Sequence, residues 1–217
     1  MRATGLSGSA EHSPDCPHRD TVNYLAHLYL AGDDPAAQVG NLMGDFIKGP
    51  IPESLSPGLA AGVRLHRRID SYTDQHACFR VSRRRLASPL QRYGGIIVDV
   101  IYDHMLARKW ANHHPQSLAE YAANVYRTLE AQRADMPPDM QRRVRGMIDT
   151  RLLEAYADEA TVTAALDRIA QRLKRPVPLG AAGSDLSRDR AGFEADFEQF
   201  FPQLKAFVER VRHCPAA

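Results

Sequence analysis

Two stretches of this chain put acids and histidines where a packing helix needs only apolar groups, and they constrain the fold more than any other feature. Val63 to Asp74 carries His66, Asp70, Thr73 and Asp74; Ile96 to Trp110 carries Asp99, Asp103 and His104. A helix advances about 100° per residue. On the first helix His66, Asp70, Thr73 and Asp74 then share a narrow sector with Leu59 and Val63. On the second, Asp99 and Asp103 fall among Ile96, Val100, Leu106 and Trp110, with His104 on the flank. Carboxylates on an apolar stripe are carried into the core, where an uncompensated charge is costly. One cation satisfies several acids and imidazoles together, so a metal ion is the simplest compensation.

The remaining chain reads as helices around that pair. Asn23 to Ala31 is a short helix ended by the stretch from Gly32 to Pro35. Asp34 is placed to cap the next helix, with Pro35 at its first position. That helix is predicted to run on to Lys48, so that Asn41 and Asp45, four apart, share a face. Gly40 and Gly44 each lower helix propensity by about 1 kcal/mol relative to alanine, which is tolerable where another helix or a ligand comes close. Ser56 and Pro57 start the helix that bears His66. A break from Ser88 to Gly95 precedes a helix from Ile96 to Asn112. Further helices are expected over Ser117 to Ala134, Pro138 to Tyr156, Ala160 to Leu173 and Phe193 to Val211, with Arg175 to Ser187 as a loop. No stretch alternates like a strand. The fold class is all-α: a single helical domain over 22–217, after a polar, aperiodic N-terminal extension, 1–21, that reads as disordered.

Composition removes several functions. With 217 residues and 25% charged residues the chain is ordinary globular material. A formal net charge of +2 is too mild to imply nucleic acid. No apolar run reaches the ~18 residues of a membrane span, and the first twenty residues lack the apolar core of a signal peptide. Cys16, Cys78 and Cys214 are an odd number without metal-site spacing, which argues for a reducing, cytoplasmic setting. The donor set is thus carboxylate and imidazole, which suits Mn²⁺, Mg²⁺ or Fe²⁺. His27 and Asp45, on the first two helices, are further candidates. Local ion pairs, His66 with Asp70 and Asp103 with His104, are the competing account of the same residues.

Four blocks resemble the bacterial acyl carrier protein phosphodiesterases: Asn23 to Leu28, Gly40 to Phe46, His66 to Asp74, and Asp99 to Trp110. The resemblance covers nearly all of the chain from Asn23 onward. It implies an HD-phosphohydrolase-like helix bundle and a Mn²⁺-dependent hydrolase. The substrate implied is holo-acyl carrier protein, cleaved to apo-carrier and 4′-phosphopantetheine. The chain has no His-Asp dipeptide, only the reverse order Asp103–His104, so the ligand order of the His-Asp enzymes does not transfer. The expected metal ligands are His66, Asp70, Asp103 and His104, with Asp45 next. Asp99 or Asp45 is expected to orient or deprotonate the water, His27 to protonate the serine oxygen, and Arg67 to hold a phosphate oxygen. Because the carrier family is acidic, Arg64, Arg67, Arg68, Arg83, Arg84 and Arg85 are the expected docking surface. The alternatives are a metal-dependent phosphohydrolase of small nucleotides and a non-catalytic helical protein that binds carriers.

Overall fold

The computed structural model describes residues 23–173 and 175–213; the extension expected over 1–21 lies outside the described residues. Among the described residues there are twelve α-helices and no strand. Helix α6 (Gly94–Arg108) is the axis. Thirteen of its fifteen residues are buried, so it has no solvent face. Helices α1 (Tyr24–Ala31), α4 (Ala77–Arg85), α10 (Glu159–Ala170) and α12 (Arg190–His213) pack around it. The one-turn helix α5 (Ser88–Gln91) fills the break before it.

The closest helix pair is α2 (Pro35–Met43) against α3 (Pro57–Gln75), and glycine makes the approach possible. A Cβ on Gly40 would stand 2.3 Å from the Leu59 carbonyl oxygen, and one on Gly62 would stand 2.6 Å from that of Ala37. Each backbone therefore sits in the space the other's missing side chain leaves. Both helices start as expected. Asp34 accepts from the Ala37 N–H at 2.8 Å and Ser56 accepts from that of Leu59, with a proline at the first helical position of each.

Helix α1 is capped from outside. Asn23 makes no side-chain cap. Instead Asp103 of α6 accepts from the Leu25 N–H and the Ala26 N–H, both at 2.9 Å. A carboxylate at a helix N-terminus satisfies orphan donors and meets the positive end of the dipole. The same acid thereby locks α1, and with it His27, to the axis.

Several boundaries differ from expectation. Helix α2 ends at Met43, so Asp45 lies on the following turn rather than on a helical face shared with Asn41. The predicted helix from Pro138 to Tyr156 is two helices, α8 (Pro138–Asp149) and α9 (Leu152–Ala155). Between them Arg151 is left-handed at φ 47°, a conformation that propensities do not announce for arginine. The predicted loop over Arg175 to Ser187 contains α11 (Ala182–Arg188), which buries Ala182 and Leu186. Its glycines and prolines hid a period only two turns long. The helix expected from Ser117 is α7 (Leu118–Ala131), closed at its start by a capping box between Ser117 and Glu120.

Candidate metal centre

The cluster forms where α1, α2 and α3 meet. His27 comes from α1, Asn41 from the last turn of α2, Asp45 from the turn after it, and His66 and Asp70 from one face of α3. His27, His66 and Asp70 each offer a donor atom, and those three atoms lie within 4.8 Å of one another. His27 Nε2 is 3.2 Å from Asp70 Oδ1, and His66 Nε2 is 3.3 Å from Asp70 Oδ2 and 3.5 Å from Asp45 Oδ1. The two imidazoles stack with ring centres 4.3 Å apart. Gly44 allows this, because a Cβ there would stand 2.3 Å from the His66 ring.

The orientation of these groups carries more information than their proximity. His27 Nδ1 meets Asn41 Oδ1 at 2.6 Å, which fixes a proton on Nδ1 and turns Nε2 toward Asp70. That Nε2 is buried and stands 3.2 Å from Asp70 Oδ1. Nitrogen and oxygen donors gathered this closely suit a shared cation. The Asp70 carboxylate is 22% exposed while both histidine side chains are under 5%, so the cluster opens on the Asp70 side. Over it lies a cavity of 410 Å³ lined by Gly44, Asp45, Lys48, His66, Arg67 and Asp70, among others.

Burial alone would push the His27 imidazole down, but the Asp70 carboxylate beside it, with Asp45 behind, raises it to about 9. Burial likewise works to raise Asp70, and the two histidines outweigh it, holding the carboxyl well below the usual range. Without a cation the site holds a proton in its place. A divalent ion must displace that proton, since a metal-bound imidazole is neutral.

The expected ligands on α6 are not part of this group. Both Asp103 oxygens bind the start of α1, and burial pushes that carboxyl up to about 7 against the two N–H groups. His104 donates through Nδ1 to the Tyr156 carbonyl at 2.7 Å, its Nε2 is buried without a hydrogen bond, and burial pushes the imidazole down. Asp99 is buried on the same helix and lies outside both the three-residue group and the cavity lining. Because α6 is buried on every side, an apolar stripe on it does not say which neighbour an acid faces. Arg67 does line the cavity, where its Nη2 binds the Ile47 and Gly49 carbonyls at 3.0 and 2.6 Å. His27, expected as a proton donor, stands instead within the donor group. Asn41, expected to share a face with Asp45, contacts His27 instead, and Lys48 at the cavity is an addition that helical spacing did not single out.

The profile of the family described as acyl carrier protein phosphodiesterase matches residues 22–204. The chain belongs to the acyl carrier protein phosphodiesterase family. Among curated members, the protein of Serratia proteamaculans is 32% identical over 184 residues, covering 84% of this chain and 95% of that one. The protein of Escherichia coli O157:H7 is 32% identical over 190 residues, covering 87% and 98%. That of Pectobacterium atrosepticum is 31% identical, covering 84% and 95%. The matched span of this phosphodiesterase-family chain contains every residue of the cluster and of its cavity. No solved structure matches the chain.

Proposed function

We propose that the protein hydrolyses the phosphodiester joining 4′-phosphopantetheine to a serine of holo-acyl carrier protein, releasing apo-carrier and 4′-phosphopantetheine. The observation that carries this reading is the buried His27–His66–Asp70 group, whose donor atoms converge below a cavity with Arg67 and Lys48 at its edge. Family membership supplies the substrate class; the cluster supplies the chemistry.

His66, Asp70 and His27 would hold a divalent ion, with Asp45 adjacent to His66; manganese fits this oxygen and nitrogen set, as do magnesium and ferrous iron. When bound, such an ion supplies Lewis acidity toward a phosphoryl oxygen and acidifies water. Asp45 lines the cavity beside the same cluster; it takes the proton from the attacking water and gives it to the serine oxygen as the P–O bond to the carrier breaks. Asn41 holds the His27 ring, and Asp103 holds the helix that carries it. Arg67 and Lys48 meet the two free phosphoryl oxygens, the arginine fixed by the loop carbonyls it binds. A cytoplasmic site of action fits the free, buried Cys78 thiol, and no helix among the described residues is long and apolar enough to cross a membrane.

The test is mass spectrometry of holo-acyl carrier protein after incubation with the protein and Mn²⁺. The expected product is the apo-carrier, lighter by the prosthetic group. A carrier that keeps its mass with wild-type protein, across Mn²⁺, Mg²⁺ and Fe²⁺, contradicts the reading.

A further inference from the structure

Helices α8 and α10 face each other across a cleft of 460 Å³ with a basic rim. Arg142 and Arg143 of α8, with Arg168 of α10 and Arg172 just after it, supply four guanidinium groups. Asp139 is the one acid in this lining among the described residues. It pairs with Arg142 one helical turn away, both side chains 73% exposed, so the pair is screened and weak. Arg142, Arg168 and Arg172 are exposed, and the floor beneath them is apolar, with Met147 and Ile169. The mouth is open at Gly146, where an added Cβ would meet nothing within 4 Å.

This cleft adjoins the candidate metal centre. Tyr24, three residues before His27 on α1, forms part of its wall. Burial raises the Tyr24 hydroxyl's pKa, Asp45 raises it further, and Arg143 and Arg172 lower it. The Arg143 guanidinium lies 5.3 Å from the ring centre of Phe46, the residue next to Asp45. Concentrated positive charge beside a hydrolytic site gathers an anionic partner, and guanidinium groups hold carboxylates in paired hydrogen bonds. An open cleft with exposed rim side chains suits groups projecting from a folded partner, whereas small-molecule sites enclose most of their ligand.

We propose that this arginine cleft seats an acidic face of the protein whose phosphodiester is cleaved, while the prosthetic arm enters the cavity beside Asp70. The proposal rests on the carrier-protein reading above. It moves docking away from Arg83 to Arg85, where Arg85 is an internal strut bound to Asp189 at 2.6 Å and Asp196 at 2.7 Å.

Steady-state hydrolysis of holo-acyl carrier protein by wild type, R142E/R172E, R142Q/R172Q and R84E, at low and high ionic strength, tests it. At low ionic strength R142E/R172E should raise KM about tenfold or more with kcat within about twofold, and the gap should close as salt screens the charges. R142Q/R172Q should fall between, and carries the same comparison if the charge reversal does not fold. R84E, a single charge reversal on α4, should match wild type. An unchanged KM in R142E/R172E and R142Q/R172Q overturns the proposal, and so does an equal rise in R84E. A changed inhibition by free 4′-phosphopantetheine with KM for the carrier unmoved also overturns it, because the cleft then serves a small anion. Wild type that leaves the carrier intact overturns the functional reading itself, whereas wild-type turnover with indifferent variants overturns the cleft alone.

Discussion

Two places in this molecule set an aspartate beside a histidine on the apolar side of a helix, and their fates differ. On α3, His66 and Asp70 meet His27 and Asp45 at one place, with His27 3.2 Å from Asp70 and His66 3.3 Å from Asp70 and 3.5 Å from Asp45. On α6, Asp103 binds two backbone N–H groups and His104 binds a backbone carbonyl. The difference lies in what surrounds each helix. One side of α3 faces the glycine-lined end of α2 and a cavity open to solvent. The α6 helix is wrapped on all sides, so its polar groups are satisfied by the helices it carries. A buried acid is therefore evidence of a partner, and only geometry says whether that partner is backbone or a ligand.

The comparison breaks most sharply under mutation of its two halves. His66→Ala and Asp70→Asn should lower kcat/KM on holo-carrier by more than about 100-fold, since even the outer partners of a metal site cost about 10–100-fold. At pH 9.5, where the His27–Asp70 pairing is already lost, thermal unfolding of the metal-free variants should stay close to wild type, which separates a lost function from a lost fold. Asp103→Ala should do the opposite. It leaves the Leu25 and Ala26 N–H groups at the start of α1 without their acceptor, at about 1–3 kcal/mol each, so urea unfolding should show a loss on the order of 3–5 kcal/mol.

A third, smaller effect is one of pH. In the metal-free protein the folded pKa of His27, about 9, lies above its ordinary value of 6.5. The His27–Asp70 pairing is fully present below pH 6.5 and is lost as pH rises through 9. At about 1.4 kcal/mol per pKa unit this is a loss on the order of 3 kcal/mol, counted once for the pair. Urea titrations at pH 6 and pH 9.5, with chelator present, should show it in wild type and not in Asp70→Asn. Mn²⁺ binding should run the other way, tightening as pH rises and releasing protons as it occurs.

The smallest effects concern the glycines. Gly62→Ala forces α2 and α3 apart and should cost about 1–3 kcal/mol of stability. Gly44→Ala pushes on the His66 ring instead. It should weaken Mn²⁺ binding about 10–100-fold, as loss of a supporting contact does, which calorimetric titration reads directly.

The helices were largely legible in the sequence because their signals are local. Asp34 with Pro35 and Ser56 with Pro57 announce two starts, and Gly32 announces an end. Half of the centre was legible too. His66 and Asp70 are four apart on one amphipathic helix, so periodicity alone aligns them. His27 and Asp45 stood out as polar residues in apolar settings, but the contact between them and α3 depends on how three helices cross. The backbone partners of Asp103 and His104 were not legible, because a helix buried all round gives periodicity nothing to distinguish. Arg151 and α11 were hidden for a related reason, since a single left-handed residue and a two-turn period are set by the packing around them. Arg85 looked like free surface charge in a basic run, and only the approach of α12 turned it inward.

The central claim is that metal chemistry belongs to the α1–α2–α3 junction and not to α6. Calorimetric titration of Mn²⁺ into wild type, Asp70→Asn and His104→Ala, all stripped of metal beforehand, tests it most directly. The account predicts binding by wild type and by His104→Ala with similar affinity, and none by Asp70→Asn. Binding retained by Asp70→Asn and abolished in a folded His104→Ala would contradict it.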